Sequence, residues 1–224
     1  MGHDDDLARI TDTGLIAIVR LKAAAPLIAV AEAVVAGGVD VIEFTMTTPG
    51  ALEVLREASA ALGDTVLLGA GTVLDEETAF ATIEAGARFI VSPTFSESVI
   101  RTCQRHGVVS VPGAYSPTEI LAAWNAGADL VKLFPAASLG PRFVSDVLAP
   151  LPDVKLVPTG GIDLDNAGDF IRAGAVAIAV SRNLVDSAAV AAGELGSITE
   201  SARAFLGAIR EARSSMAPPT EVIA

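Results

Sequence analysis

A chain of 224 residues, 51% hydrophobic and only 19% charged, suits a single α/β domain whose strands are buried on both faces, with Val, Ile, Leu and Ala building the core because aromatics are only 4%. Its formal net charge of -12 excludes nucleic acid and anionic membrane as general partners, since either needs a basic field, so an anionic small-molecule substrate must be held by a local cluster of donors. The single cysteine, Cys103, excludes an intramolecular disulfide, and with only His3 and His106 beside it no zinc or iron–sulfur ligand set is available.

The start, Met1-Gly2-His3-Asp4-Asp5-Asp6, is acidic and lacks the basic and apolar regions of a secretory signal; Met1-Gly2 opens like a myristoylation site, but position six is Asp6 rather than Ser or Thr. Gly, Asp or Arg interrupts every apolar run before it reaches membrane-spanning length, which predicts a soluble cytoplasmic protein. A first strand covers Leu15 to Arg20. One phrase then recurs: a helical stretch, a Gly that stops it, about two residues, and a buried strand. It appears at Gly37 before Val41-Ile42-Glu43-Phe44, Gly63 before Val66-Leu67-Leu68, Gly86 before Phe89-Ile90-Val91, Gly107 before Val108-Val109, Gly127 before Leu130-Val131 and Gly174 before Val176-Ala177-Ile178. An extra strand, Lys155-Leu156-Val157-Pro158, lies inside the long step from Gly127 to Gly174.

Eight strands result, followed by helical segments near 26–36, 50–62, 75–85, 96–106, 117–126, 140–149, 165–173 and 197–213. Eight βα units in this length predict an α/β fold of the (β/α)8 TIM barrel type, one domain over 1–214, with 215–224 as a disordered tail. A doubly wound open sheet is the alternative, but its edge strands should read as more polar than these. Cys103 falls in a helix interior and reads as structural.

A barrel places its chemistry at the C-terminal ends of its strands, and this sorts the three lysines. Lys155 begins a strand, Lys22 lies in the loop after strand one, and Lys132 sits in the middle of the apolar run Leu130 to Phe134. An ammonium group there loses hydration, so its pKa should fall and a nucleophilic amine becomes accessible, as a Schiff-base lysine requires. The competing readings are a snorkelling lysine and a structural ion pair. On strand two, Ile42, Phe44 and Met46 alternate with Val41, Glu43, Thr45 and Thr47, which turns Glu43 inward with Lys132 and suits it to acid/base work. Arg20, closing strand one, could clamp a carboxylate, or be a solvated rim residue. Arg182 is a weaker candidate of the same kind. The loops Thr159-Gly160-Gly161 and Ser181-Arg182-Asn183 follow strands seven and eight, where barrels often bind phosphate. Gly69-Ala70-Gly71-Thr72-Val73-Leu74 is not a dinucleotide motif, since Leu74 stands where a third Gly is needed; its glycines read as room for a substrate, with Thr72 as a donor. Asp75-Glu76-Glu77 reads as a helix start rather than a metal site.

Six phrases in order, Ile42-Glu43-Phe44-Thr45, Gly69-Ala70-Gly71-Thr72-Val73, Ile90-Val91-Ser92-Pro93, Val111-Pro112-Gly113, Val131-Lys132-Leu133-Phe134-Pro135 and Pro158-Thr159-Gly160-Gly161-Ile162, resemble the motifs of the 2-keto-3-deoxy-6-phosphogluconate (KDPG) aldolase family. That family also contains KDPGal and 4-hydroxy-2-oxoglutarate aldolases. The resemblance covers about residues 14 to 210. It implies a metal-independent class I aldolase of the Entner-Doudoroff kind, usually a homotrimer, that needs no cofactor beyond the covalent Schiff base on Lys132. It implies Glu43 as acid/base, Thr72, Pro93 and Phe134 around pyruvate, Arg20 on substrate anions, and Thr159, Gly160, Gly161 and Ser181 on phosphate. Two departures stand out: Thr47 occupies the place of a common family arginine, and Val180 precedes Ser181 where the family usually has glycine. A phosphate-binding isomerase or decarboxylase barrel and a non-catalytic sugar-acid-binding barrel are the more distant alternatives.

Overall fold

The chain opens with a helix, α1 (His3–Thr13), where the sequence pattern predicts only an acidic start. Asp4, Asp5 and Asp6 occupy its first turn, where the helix dipole favours negative charge, and Gly14 ends it in the left-handed conformation at φ 72°. The computed structural model describes residues 2–21, 27–63 and 65–216, so Lys22 and the predicted tail beyond Met216 lie outside the described residues.

Strands and helices then alternate. β1 (Leu15–Val19) leads to α2 (Leu27–Ala36), β2 (Val41–Thr45) to α3 (Ala51–Leu62), β3 (Leu67–Gly71) to α4 (Glu76–Glu84), and β4 (Phe89–Val91) to α5 (Glu97–His106). Pro112, which has no N–H to donate, divides the fifth predicted strand into β5 (Val109–Val111) and β6 (Gly113–Ala114), before α6 (Pro117–Asn125). β7 (Val131–Leu133) precedes α7 (Gly140–Leu148), and β8 (Leu156–Pro158) precedes α8 (Ala167–Arg172). β9 (Ile178–Val180) is followed by two helices, α9 (Ser187–Ala192) and α10 (Leu195–Ser215). Side chains mark several helix starts: Asp75 accepts from Thr78 N at 2.7 Å, as its helix-start reading predicts, and Ser116 and Glu119 form a reciprocal capping box.

All strand pairs are parallel. One sheet runs β5-β4-β3-β2-β1-β9 and the other β6-β7-β8. Further backbone bonds join the two sheets at both borders. Leu130 N donates to Ser110 O at 3.2 Å on one side; on the other, Val176 N donates to Leu156 O at 3.1 Å and Thr159 bridges Ala179. Alternate residues feed two apolar clusters. Val41, Leu67, Phe89, Val109, Leu130 and Val157 meet on the inner face, while Ile42, Phe44, Leu68, Ile90, Val131 and Leu133 pack outward with the helices. Cys103 is buried in the outer cluster, where loss of solvent pushes its thiol up to about 12 and leaves it inert as a nucleophile.

Helix α1 lies across the end where strands begin. Ile10 is wholly buried and belongs to the inner cluster. Asp6 pairs with Arg88, and Arg9 bonds Asp40 at 2.7 Å and the carbonyl of Thr65. Thr13 donates to Asp40 at 2.9 Å, and His3 meets Asp129 at 3.0 Å. From the other end of the chain, Arg213 of α10 donates to the carbonyls of Thr11 and Asp12, each at 2.6 Å, and of Val176 at 3.0 Å.

Some boundaries move. β3 and β9 extend closer to the strand ends than predicted, to Gly71 and Val180, because ladder pairing and not the start of the apolar run defines them. α8 is shorter than 165–173, since Asp163 and Asn166 first close a turn, with Asn166 N donating to Asp163 at 3.1 Å. Helix α9 was not predicted, and Ser215 of the predicted tail belongs to α10. Gly63 is not a left-handed stop: its φ is -58°. At the first repeat the left-handed residue is Gly38, φ 94°, while Gly37 supplies space, because a Cβ there would lie 2.4 Å from that of Ala202 on α10. Among the described residues no helix is long and apolar enough to cross a membrane.

Candidate active site

Lys132 sits in the middle of β7 with 3% of its surface exposed. Its neighbours Val131 and Leu133 join the outer cluster and Leu130 the inner one, so alternation turns the amine inward as predicted. The Nζ atom lies over the Phe134 ring, 5.0 Å from its centroid, an attraction the sequence reading did not include. Glu43 occupies the middle of β2, wholly buried, and neither carboxyl oxygen has a hydrogen-bond partner among the described residues. A structural ion pair would have bonded those oxygens. Among the described residues no hydrogen bond joins the two groups, yet each charge acts on the other across the interior.

Their titration follows from this burial. Desolvation pushes the Glu43 carboxyl above its ordinary value, against the opposing charges of Lys132 and Arg20. Desolvation also pushes the Lys132 amine below its ordinary value; the Glu43 charge opposes that shift and the Arg20 charge adds to it. An amine that gives up its proton more easily, and a carboxyl that keeps its proton more easily, than in water suit nucleophilic attack coupled to proton transfer.

A cavity of about 380 Å³ opens above the amine. Arg20, Lys132, Phe134, Thr159, Gly160, Gly161 and Ser181 all line it, which brings together seven of the residues singled out from sequence. Arg20 is exposed and stands one residue beyond β1. Pro93 lines a neighbouring cavity of about 300 Å³ that shares Phe134. Thr72 lines neither; it turns the chain just after β3 with φ 60°, a conformation costly for a β-branched residue by about 1–3 kcal/mol. Lys155 precedes β8 at the opposite end, its carbonyl accepting from Val131 N at 2.8 Å.

Two readings change. The glycines of β3 do not leave room for substrate: a Cβ on Gly69 would strike the Phe89 ring at 2.4 Å, and one on Gly71 would lie 1.6 Å from Glu43 Oε1. Arg182, rated the weaker arginine, lines the same cavity as Lys132, and Asn183 beside it donates to Ile162 O at 2.7 Å, tying the loop after β9 to the loop after β8. The signal for both was their position after the last strand. Thr47 donates to Thr45 at 3.3 Å, and Thr48 accepts from Leu21 N at 3.2 Å, so hydroxyls tie the turn after β2 to the end of β1.

A parallel α/β chain that turns a buried amine of lowered pKa and a buried carboxyl of raised pKa into one interior has the parts of a lysine-dependent class I lyase. Residues 7–201 match the family described as "Aldolase: KDPG and KHG aldolase", and the chain belongs to that family. It is 38% identical to the 2-dehydro-3-deoxy-phosphogluconate aldolase of Treponema pallidum over 194 residues, covering 86% of this chain and 90% of that protein. A native KDPGal structure superposes with a TM-score of 0.83 at 31% identity, covering 89% of this chain and 96% of the other. The KDPG aldolase from Legionella pneumophila, with pyruvate captured as a covalent carbinolamine intermediate, superposes with a TM-score of 0.82 at 28% identity, covering 89% and 97%. The protein is a class I aldolase, an aldehyde-lyase.

Proposed function

We propose that Lys132 carries the Schiff base in cleavage of a 2-keto-3-deoxy sugar acid, 2-keto-3-deoxy-6-phosphogluconate foremost, to pyruvate and glyceraldehyde 3-phosphate. The neutral amine adds to the C2 ketone to give a carbinolamine. Glu43 protonates its hydroxyl, water leaves, and an iminium remains. Glu43, left as a carboxylate, then takes the C4 hydroxyl proton and lets the C3–C4 bond break, its electron pair flowing into the iminium to form an enamine while the aldehyde departs. Protonation at C3 and hydrolysis release pyruvate and restore the amine. The observation that carries this reading is the buried, unpartnered Glu43 carboxyl facing the same interior as the amine of Lys132.

In this reading the two sheets close as one (β/α)8 barrel in a single domain over 1–214, supported by the backbone bonds at both borders and by the aldolases it resembles in fold. Arg20 holds the substrate carboxylate; Thr72, Pro93 and Phe134 shape the pyruvate pocket; Thr159, Gly160, Gly161 and Ser181 hold the distal phosphate. The chain works as a cytoplasmic homotrimer without metal or added cofactor. Borohydride added with pyruvate should leave a stable mass increase of one reduced pyruvate on Lys132; an unmodified Lys132 overturns the assignment. A pyruvate-release assay across phosphorylated and unphosphorylated acids should favour the phosphorylated ones. Preference for KDPGal or 4-hydroxy-2-oxoglutarate is the second reading, favoured by Thr47 and Val180, the two departures from the KDPG pattern.

A further inference from the structure

Strand β3 carries glycine at both 69 and 71, the positions that alternate with Leu68 and Ala70 of the outer cluster and therefore face inward. Neither glycine has a positive φ, so backbone conformation does not require them. What they supply is space, and each space is filled from a different neighbour. In register, Gly69 lies beside Glu43 on one side and Phe89 on the other, whereas Gly71 lies beside Thr45 and Val91. The Phe89 ring crosses over Gly69, where a Cβ would lie 2.4 Å from Cζ. The Glu43 side chain reaches one inward position further, so that a Cβ on Gly71 would lie 1.6 Å from Oε1, 2.3 Å from Cδ and 2.7 Å from Cγ. Those distances are too short for any small adjustment; the carboxyl itself would have to leave.

We propose that Gly71 is a positioning residue for Glu43: its missing side chain lets the carboxyl rest against β3 toward the strand ends, and the Phe89 ring over Gly69 forms the apolar floor beneath it. The inference rests on Glu43 as the acid/base of the Lys132 reaction. Backbone on one side and a ring below offer the carboxyl contact without hydrogen-bond donors, which is how a buried carboxyl remains both fixed and unpaired. Gly71 thus acts through Glu43 and touches no substrate itself.

The test compares Gly71→Ala, Glu43→Gln, Glu43→Ala and the double variant Gly71→Ala/Glu43→Ala. Pyruvate release by Gly71→Ala should fall about a hundredfold in kcat with KM within about threefold, the pattern of a displaced acid/base group. The pH limb that disappears in Glu43→Gln should persist in Gly71→Ala but move to lower pH, because a carboxyl driven out of its socket regains water. Gly71→Ala should also lower Tm when Glu43 is present and not when residue 43 is Ala, since the atoms it strikes are then gone. Should Gly71→Ala fail to fold, the double variant should fold. Wild-type kcat and pH limb in Gly71→Ala, or the same loss of Tm in both backgrounds, overturns the proposal. Full activity in Glu43→Gln overturns the acid/base reading instead, and the Tm comparison then still decides whether the socket exists.

Discussion

At the end where the strands begin, charge is matched and bonded: Asp6 to Arg88, Arg9 to Asp40, His3 to Asp129, and Asp129 also to Ser110 N at 2.8 Å. From the middle of the strands to the end where they finish, Glu43 keeps two oxygens without a partner among the described residues, Lys132 has its amine over a ring, and Thr72 holds a left-handed backbone. Both ends are packed, and both take charged residues out of solvent. One end spends its polar groups on the fold, whereas the other leaves them unsatisfied, which costs stability and leaves them free to bind and react. The same residue types therefore mean stability or chemistry according to which end of a parallel strand they occupy.

Substitutions should separate the two ends, and Lys132→Met should have the largest effect. It should abolish pyruvate release, while the stability gained by burying no amine is offset by the loss of the opposing charge beside Glu43. The sign with pH follows from the depressed folded pKa of Lys132: its contribution is present above the unfolded value near 10.4 and lost as pH falls through the folded value. Urea denaturation should thus show the advantage of Lys132→Met growing as pH is lowered. Glu43→Gln should reduce kcat by about 10²–10⁴. Because the folded pKa of Glu43 is raised, its contribution is present below the unfolded value near 4.3 and lost as pH rises through the folded value, so wild type should weaken relative to Glu43→Gln over that window.

At the other end the pattern should invert. Ile10→Ala should cost about 2–5 kcal/mol in urea denaturation, as truncation of a fully buried side chain does, with kcat unchanged. Asp40→Asn, which weakens the bonds from Arg9 and Thr13, should cost about 1–2 kcal/mol, again with kcat unchanged. A fall in kcat matching that of Glu43→Gln in either variant would break the division between the ends.

Much of this division was legible in sequence. The glycine punctuation located the strands, and alternation about Lys132 and Glu43 turned both groups inward, because a parallel strand buried on both faces has few other places for charge. Helix α1 was not legible: Leu7 and Ile10 are too few apolar positions in an acidic segment to show a period, and the helix is held by partners far along the chain. The purpose of Gly71 was also hidden, since it depends on a side chain from the neighbouring strand. Arg182 was the weaker arginine in sequence because its type alone does not separate it from a surface residue, and the placement of its loop brings it to the cavity of Lys132.

The bonds from Arg213 to the carbonyls of Thr11 and Asp12 join positions up to 202 apart in the chain. During synthesis, α1 can meet Asp40 and Arg88 as β2 and β4 emerge, but its last turn finds its guanidinium only when α10 is made. Helix α10 therefore acts as a latch on α1.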